Sequence, residues 1–335
     1  MSPLRARIVP LLCVFLGAPI AAEHLQAYLP VTGDLWASLA GLVFFAPLYG
    51  GAALVIREVA VRSGMGWAGT LLLAAAFGLA MPGIIDLAMF GEDRSDVSYW
   101  SEMREPTLIE PLGISVATTL SWTVGHVMMS VGAPLALLYA LAPAHRGRPL
   151  LGRVGIPLTI VAAAVVAFAV HQDGQRAYGY MLSLGRAAAV LVVVLLIIAA
   201  ACVVRSGLPG TSMKGAGAER RISAGALVIS AVVLKVLIDL MPSTWIGVLG
   251  TVVVLLAAAW ATWWGSARRR WGPREVGLLG AGVVIGAILI GFLSPVPDGV
   301  SAAAKFLQCS VLLGFALALL LLVVRRTAGE HSGAR

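Results

Sequence analysis

The chain has 335 residues, of which 59% are hydrophobic and 12% charged, with a mean hydropathy of +0.93; a soluble domain carries about 25% charged residues. That balance excludes a water-soluble globular protein and points to an integral membrane protein. The net charge of +8 and pI near 9.9 do not point to nucleic acid, because no basic segment is long or interleaved with aromatic residues.

Apolar runs between charge clusters predict ten spans, at about residues 8–28, 35–56, 66–90, 114–142, 154–171, 186–204, 222–241, 245–264, 275–294 and 303–324. Inside lipid only helices satisfy every backbone group over such runs, so the fold class is an all-α polytopic transmembrane bundle. Eighteen of the 24 Lys and Arg residues fall in alternate connectors, five fall in the others and Lys235 lies within a span. That bias predicts cytoplasmic termini and a multi-pass protein of a bacterial inner membrane.

The first run, "RARIVPLLCVFLGAPIAA", has the charged start and small residues of a signal peptide. Apolar character resumes in "HLQAYLP", which favours a retained helix, with Glu23 and His24 near its end. The second span closes on Arg57 and Glu58, where an interfacial salt bridge or a lipid-headgroup contact is expected before catalysis.

The third span, within "FGLAMPGIIDLAMFGEDRSD", is interrupted by Pro82-Gly83 and then carries Asp86. Proline removes a backbone donor and glycine permits a bend, so a kinked or unwound helix is predicted. Asp86 either reaches interfacial water near the outer end or belongs to a broken-helix site of the kind transporters use. The following connector holds Glu92, Asp93, Asp96, Glu102, Glu105 and Glu110 against Arg94 and Arg104. It reads as a solvated loop or as a cation-attracting mouth.

The fourth span places His126 after Ser121, Thr123 and Gly125, a small and polar stretch in which an imidazole either bonds a neighbouring helix or relays protons. Lys235 and Asp239 in the seventh span are four residues apart and share a face, which suits an internal ion pair or a coupling role. Gly282 and Gly286 in the ninth span allow close helix packing, within the chain or between two copies in a homo-oligomer. Cys13, Cys202 and Cys309 are isolated and read as small core residues. No spacing of His, Glu or Cys suits a metal, and no cofactor is expected.

The Gly/Ser-rich basic stretch 205–221 is predicted to be a flexible cytoplasmic linker between a six-span half (1–204) and a four-span half (222–326), with a disordered tail at 327–335. Residues 49–155, with "YGGAALVIREVAVRSGMGWAGTLLLAAAFGLAMPG" and "GHVMMSVGAPLALLYALAPAHRGRPLLGRVG", resemble uncharacterised bacterial polytopic membrane proteins. More distantly, the pattern is similar to the CPBP type of intramembrane metalloprotease. That resemblance implies paired glutamates where this chain has Met81 and Pro82, with His126 at the histidine position. Neither Met nor Pro can take a proton, so the resemblance implies a member silent by that mechanism. The readings carried forward are transport of a small ion or solute and a scaffold, both with membrane lipids as partners, and a degenerate protease relative as the alternative.

Overall fold

The computed structural model describes residues 3–94, 97–204, 221–269 and 271–332. Its helices are α1 (Pro3–Pro19), α2 (Leu35–Phe45), α3 (Gly51–Ser63), α4 (Trp67–Ala80), α5 (Trp100–Arg104), α6 (Val116–Gly125), α7 (Ala133–Leu141), α8 (Gly155–Tyr178), α9 (Leu184–Val204), α10 (Ala224–Asp239), α11 (Trp245–Arg268), α12 (Pro273–Leu293) and α13 (Ala302–Ser332). Among the described residues the only strands are β1 (Leu108–Ile109) and β2 (Ile114–Ser115), an antiparallel pair. The protein is an all-α polytopic bundle.

Nine helical segments among the described residues are long and apolar enough to cross a membrane, including Arg7–His24, Leu35–Ser63, Trp67–Ile85 and Val116–Leu141. The predicted seventh span is shorter than expected. Ser223 caps α10 through the Ala226 N–H, and the helix stops before Pro242, leaving 16 residues, or about 24 Å of helix against a hydrocarbon core of about 30 Å. The predicted linker lies almost wholly outside the described residues. Helix α13 runs to Ser332, into the stretch read as a tail.

The first helix is an integral part of the core: Val14 and Ala18 are fully buried with Leu48, Tyr49 and Leu54. Gly50 permits this contact, since a Cβ there would lie 2.1 Å from the Phe15 carbonyl oxygen. Helix α12 is the central column, packed by α7, α10 and α13. Gly282 and Gly286 meet α10 of the same chain, where added Cβ atoms would lie 2.7 Å from the Val228 oxygen and 2.9 Å from the Lys235 Cβ. Helices α8, α9 and α11 are largely exposed on the periphery, as lipid-facing helices are.

Candidate functional site

Four of the membrane-crossing segments contain a stretch of π-helix: Ile20–His24, Ala46–Gly50, Met81–Ile85 and His126–Gly132. Each adjoins a proline. Pro19 precedes the first, Pro47 and Pro82 lie within the second and third, and Pro134 follows the fourth by two residues. A proline ring collides with the carbonyl four residues back and offers no N–H, and one extra residue in the turn relieves the collision. These wide turns carry the polar side chains Glu23, His24, Tyr49, His126 and Ser130, and the third delivers Asp86 at its end.

At the centre is Glu23, 9% exposed. Its Oε1 accepts the Tyr49 hydroxyl at 2.5 Å and its Oε2 accepts the Tyr28 hydroxyl at 2.7 Å. No Lys or Arg salt bridge reaches it among the described residues. The Tyr49 ring stacks on the His126 imidazole with centroids 5.7 Å apart, and Phe77 closes the other side edge-on at 5.8 Å. His126 Nδ1 and the buried Ser130 hydroxyl are 2.9 Å apart. In the same spans, the Nε2 of His24 and the hydroxyls of Thr119 and Thr123 are buried without a hydrogen-bond partner among the described residues. Buried polar atoms of that kind are uncommon and call for a reason.

The third span ends at Ile85 rather than continuing to residue 90 as the sequence suggested, and Asp86 stands in the turn beyond it. Its Oδ1 accepts the Ala88 N–H at 2.9 Å. Burial raises its pKa from 3.8 to about 7, against the pull of the Ala88 N–H, while Glu23 adds to the rise and Arg94 opposes it. The interruption by Pro82-Gly83 is as predicted, and it frees the Ile84 carbonyl, which His171 of α8 binds through Nδ1 at 2.7 Å. A carbonyl only accepts, so Nδ1 carries the proton and Nε2 accepts from Gln175 at 3.2 Å.

Two residues beside the site, Ala27 (φ 48°) and Leu87 (φ 66°), are non-glycine residues in the left-handed region, and both are buried. Such backbones are uncommon and concentrate at functional sites. Ala27 immediately precedes Tyr28 and Leu87 immediately follows Asp86. Tyr28 remains 45% exposed while its hydroxyl turns in to Glu23. Its pKa is raised by withdrawal of the hydroxyl from solvent and then by Glu23, so the phenol stays protonated.

The acidic connector is folded over this end of the bundle. Trp100 of α5 stacks on Trp122 and packs against Tyr178, and Arg94 lies 5.9 Å and 5.4 Å from those two ring centres, Trp100 and Tyr178. Arg94 Nη1 donates to the Tyr178 hydroxyl, and Arg104 donates to the Gly113 carbonyl.

The sequence-derived candidates therefore separate into three places. His126 stacks on Tyr49, Asp86 feels the charge of Glu23, and the two do not bond one another. Lys235 pairs with Asp239, whose Oδ2 also accepts from Gln26 Nε2 at 2.7 Å, tying α10 to the turn that carries Tyr28. Arg57 and Glu58 lie at the far end of the bundle. There Glu58 accepts the N–H groups of Leu150 and Leu151 and salt bridges from Arg57 and Arg62, fastening the α7–α8 connector. Sequence reasoning noted Glu23 and His24 only as end-of-span charges and missed Tyr28, Tyr49, Ser130 and His171. A usable signal was a proline within about a turn of a polar residue in each of the first four spans.

Fold and site together define a polytopic helical-bundle membrane protein with a buried polar centre. A family model described as "Uncharacterized membrane protein family" matches residues 18–331, and the chain belongs to that family. No curated protein and no solved structure matches it. The family match adds no support to the protease resemblance; Met81 and Pro82 are buried in the third π-helical turn.

Proposed function

We propose that the protein is of transport type and that Glu23 is its coupling group, neutralised in turn by a proton or a small cation. One observation carries this reading: a buried carboxylate with a phenol on each oxygen and, among the described residues, no Lys or Arg salt bridge. A negative charge in low-dielectric surroundings is costly unless positive charge is supplied, and two phenol donors fix the carboxylate without neutralising it. The surrounding groups suggest an order of approach. Arg94, Asp86 and the part-exposed Tyr28 stand towards one end, Glu23 follows, and Tyr49, His126 and Ser130 continue inward. An imidazole and a hydroxyl can pass a proton on because each donates and accepts. The arginine-rich connectors support a bacterial inner-membrane location with the polar centre opening outward and both termini cytoplasmic.

The test is pH-difference infrared spectroscopy of the purified protein in liposomes, together with proton flux measured by an enclosed pH dye under an imposed potential. A carboxylic C=O band should appear on acidification and disappear in Glu23→Gln, and flux should fall about tenfold or more in that variant at unchanged abundance. An identical band and identical flux in Glu23→Gln would reject the reading and leave a polar-cored scaffold.

A further inference from the structure

The groups that continue inward from Glu23 stop at Ser130, inside the bundle, yet the three spans that carry them open again further along. At the end opposite Asp86, α3, α4 and α7 enclose a cavity of about 430 Å³, within the roughly 300–1,000 Å³ of small-molecule sites. Ala60 of α3, Thr70 of α4 and Leu135 and Leu138 of α7 line it, and Arg57 and His145 add polar groups to its wall. A Cβ on Gly64, Gly66 or Gly147 at its edge would meet nothing within 4 Å, so the mouth is open. A space of that size with polar groups in its wall holds water.

The same order of groups recurs along all three spans. In the second span Tyr49 is followed by Ala53 and Leu54, and then by Arg57 and Ala60. In the fourth, His126 and Ser130 are followed by Val131 and Leu135, and then by Leu138. Helix α4 runs the other way: Thr70 comes first, Leu73 and Ala74 follow, and Phe77 meets both Tyr49 and His126. Each span therefore passes from the polar centre through an apolar layer to the cavity. Ala53, Leu54, Leu73, Ala74, Val131 and Leu135 are all buried, and with Tyr49 they belong to one packed cluster. None of these six side chains can carry a proton or hold an ion. The seven residues from Thr70 to Phe77 make about 10 Å of helix, so the layer is one or two side chains thick. An apolar constriction of this kind stops ions by excluding water.

We infer that the cavity is a water-filled vestibule, the second opening of the Glu23 pathway, and that Leu54, Leu73 and Leu135 form the gate between the two. The inference rests on the transport reading of Glu23 and supplies the second opening that movement across a bilayer requires. Through the end near Tyr28 alone, a proton or cation would reach Glu23 and return by the way it came. With the leucine layer closed, Glu23 exchanges with one side, and parting of the layer connects it to the other.

Two measurements on the full-length protein in sealed vesicles test this. The first is labelling of single cysteines by a charged, membrane-impermeant methanethiosulfonate, in a Cys13→Ala/Cys202→Ala background that removes the two exposed native thiols. Ala60→Cys should react, and from the cavity face only, while Ala74→Cys in the gate layer should react at least about tenfold more slowly. The second is proton flux. Leu73→Asn, which keeps the branched shape and makes it polar, should raise flux about tenfold, and adding Glu23→Gln should remove the gain. Leu54→Asn is the second variant should Leu73→Asn fail to accumulate. No reaction of Ala60→Cys from either face, or equal reaction of Ala74→Cys, would overturn the vestibule whatever the flux shows. Labelling as expected, with flux unchanged in Leu73→Asn and Leu54→Asn but lowered by Glu23→Gln, would overturn the gate and leave the Glu23 reading standing. Flux indifferent to Glu23→Gln would overturn that reading and this inference with it.

Discussion

Compare the first four spans with α10, α12 and α13. In the first four, proline widens the helix once per span, and the polar groups sit on the widened turns. In the C-terminal trio the helices are regular and join through small residues, with Gly282 and Gly286 seated on α10 and Gly277 against Ala140 of α7. Both regions bury charge. Lys235 has its carboxylate one turn away on the same helix, whereas Glu23 accepts from two phenol hydroxyls and, among the described residues, forms no salt bridge. The contrast separates a charge paired on its own helix from a carboxylate held by phenols, which the proposed function assigns to an incoming proton or cation.

Four variants break or sharpen this contrast. The largest effect is expected from Lys235→Met, which strands Asp239 beside Gln26. Losing one partner of a buried pair costs about 3–5 kcal/mol, and thermal unfolding in detergent should show it. The double variant Lys235→Met/Asp239→Asn should recover most of that loss and keep the proton-dependent carboxyl band. Loss of the band in a folded double variant would erase the distinction between the two charges.

Tyr49→Phe comes next. It removes the donor to Glu23 Oε1 and leaves a buried oxygen unsatisfied, for about 1–3 kcal/mol. The same infrared measurement should show the Glu23 band moved, and an unmoved band would mean that the hydroxyl does not hold the carboxylate.

An effect that vanishes at low pH is expected from Asp86→Asn, which keeps the acceptor for the Ala88 N–H. Asp86 titrates at about 7 when folded against 3.8 ordinarily. Below pH ~3.8 both states are protonated and the residue costs nothing. As pH rises towards 7 only the unfolded chain ionises freely, so wild-type stability falls, and above 7 the penalty is constant. The unfolding temperature of Asp86→Asn should match the wild type near pH 4 and exceed it increasingly up to pH ~7. A pH-independent difference would show that Asp86 ionises as readily in the fold as outside it.

The bundle was legible because lipid imposes one rule along the whole chain: uncharged runs of sufficient length must be helices. The helix break at Pro82-Gly83 was legible because proline acts locally, and so was the Lys235–Asp239 pairing, because i and i+4 share a face by geometry. The Glu23 centre was not. Tyr49 is 26 residues from Glu23, and no periodicity within either span says that the two turns face one another. The short α10 was also hidden, since the apolar run continues through Leu240 and Met241 although the helix stops. Gly282 and Gly286 announced close packing, but only the fold identifies α10 as the surface they meet.

A π-helical turn holds one residue more than an ordinary turn, and each residue of an α-helix advances the side-chain direction by about 100°. Deleting a single amino acid from Ala46–Gly50 or His126–Gly132 would therefore swing everything downstream in that span around the helix axis by roughly a quarter turn. The face now bearing the polar groups would be exchanged for a neighbouring one, so the placement of Tyr49 and His126 depends on residue count as much as on residue identity.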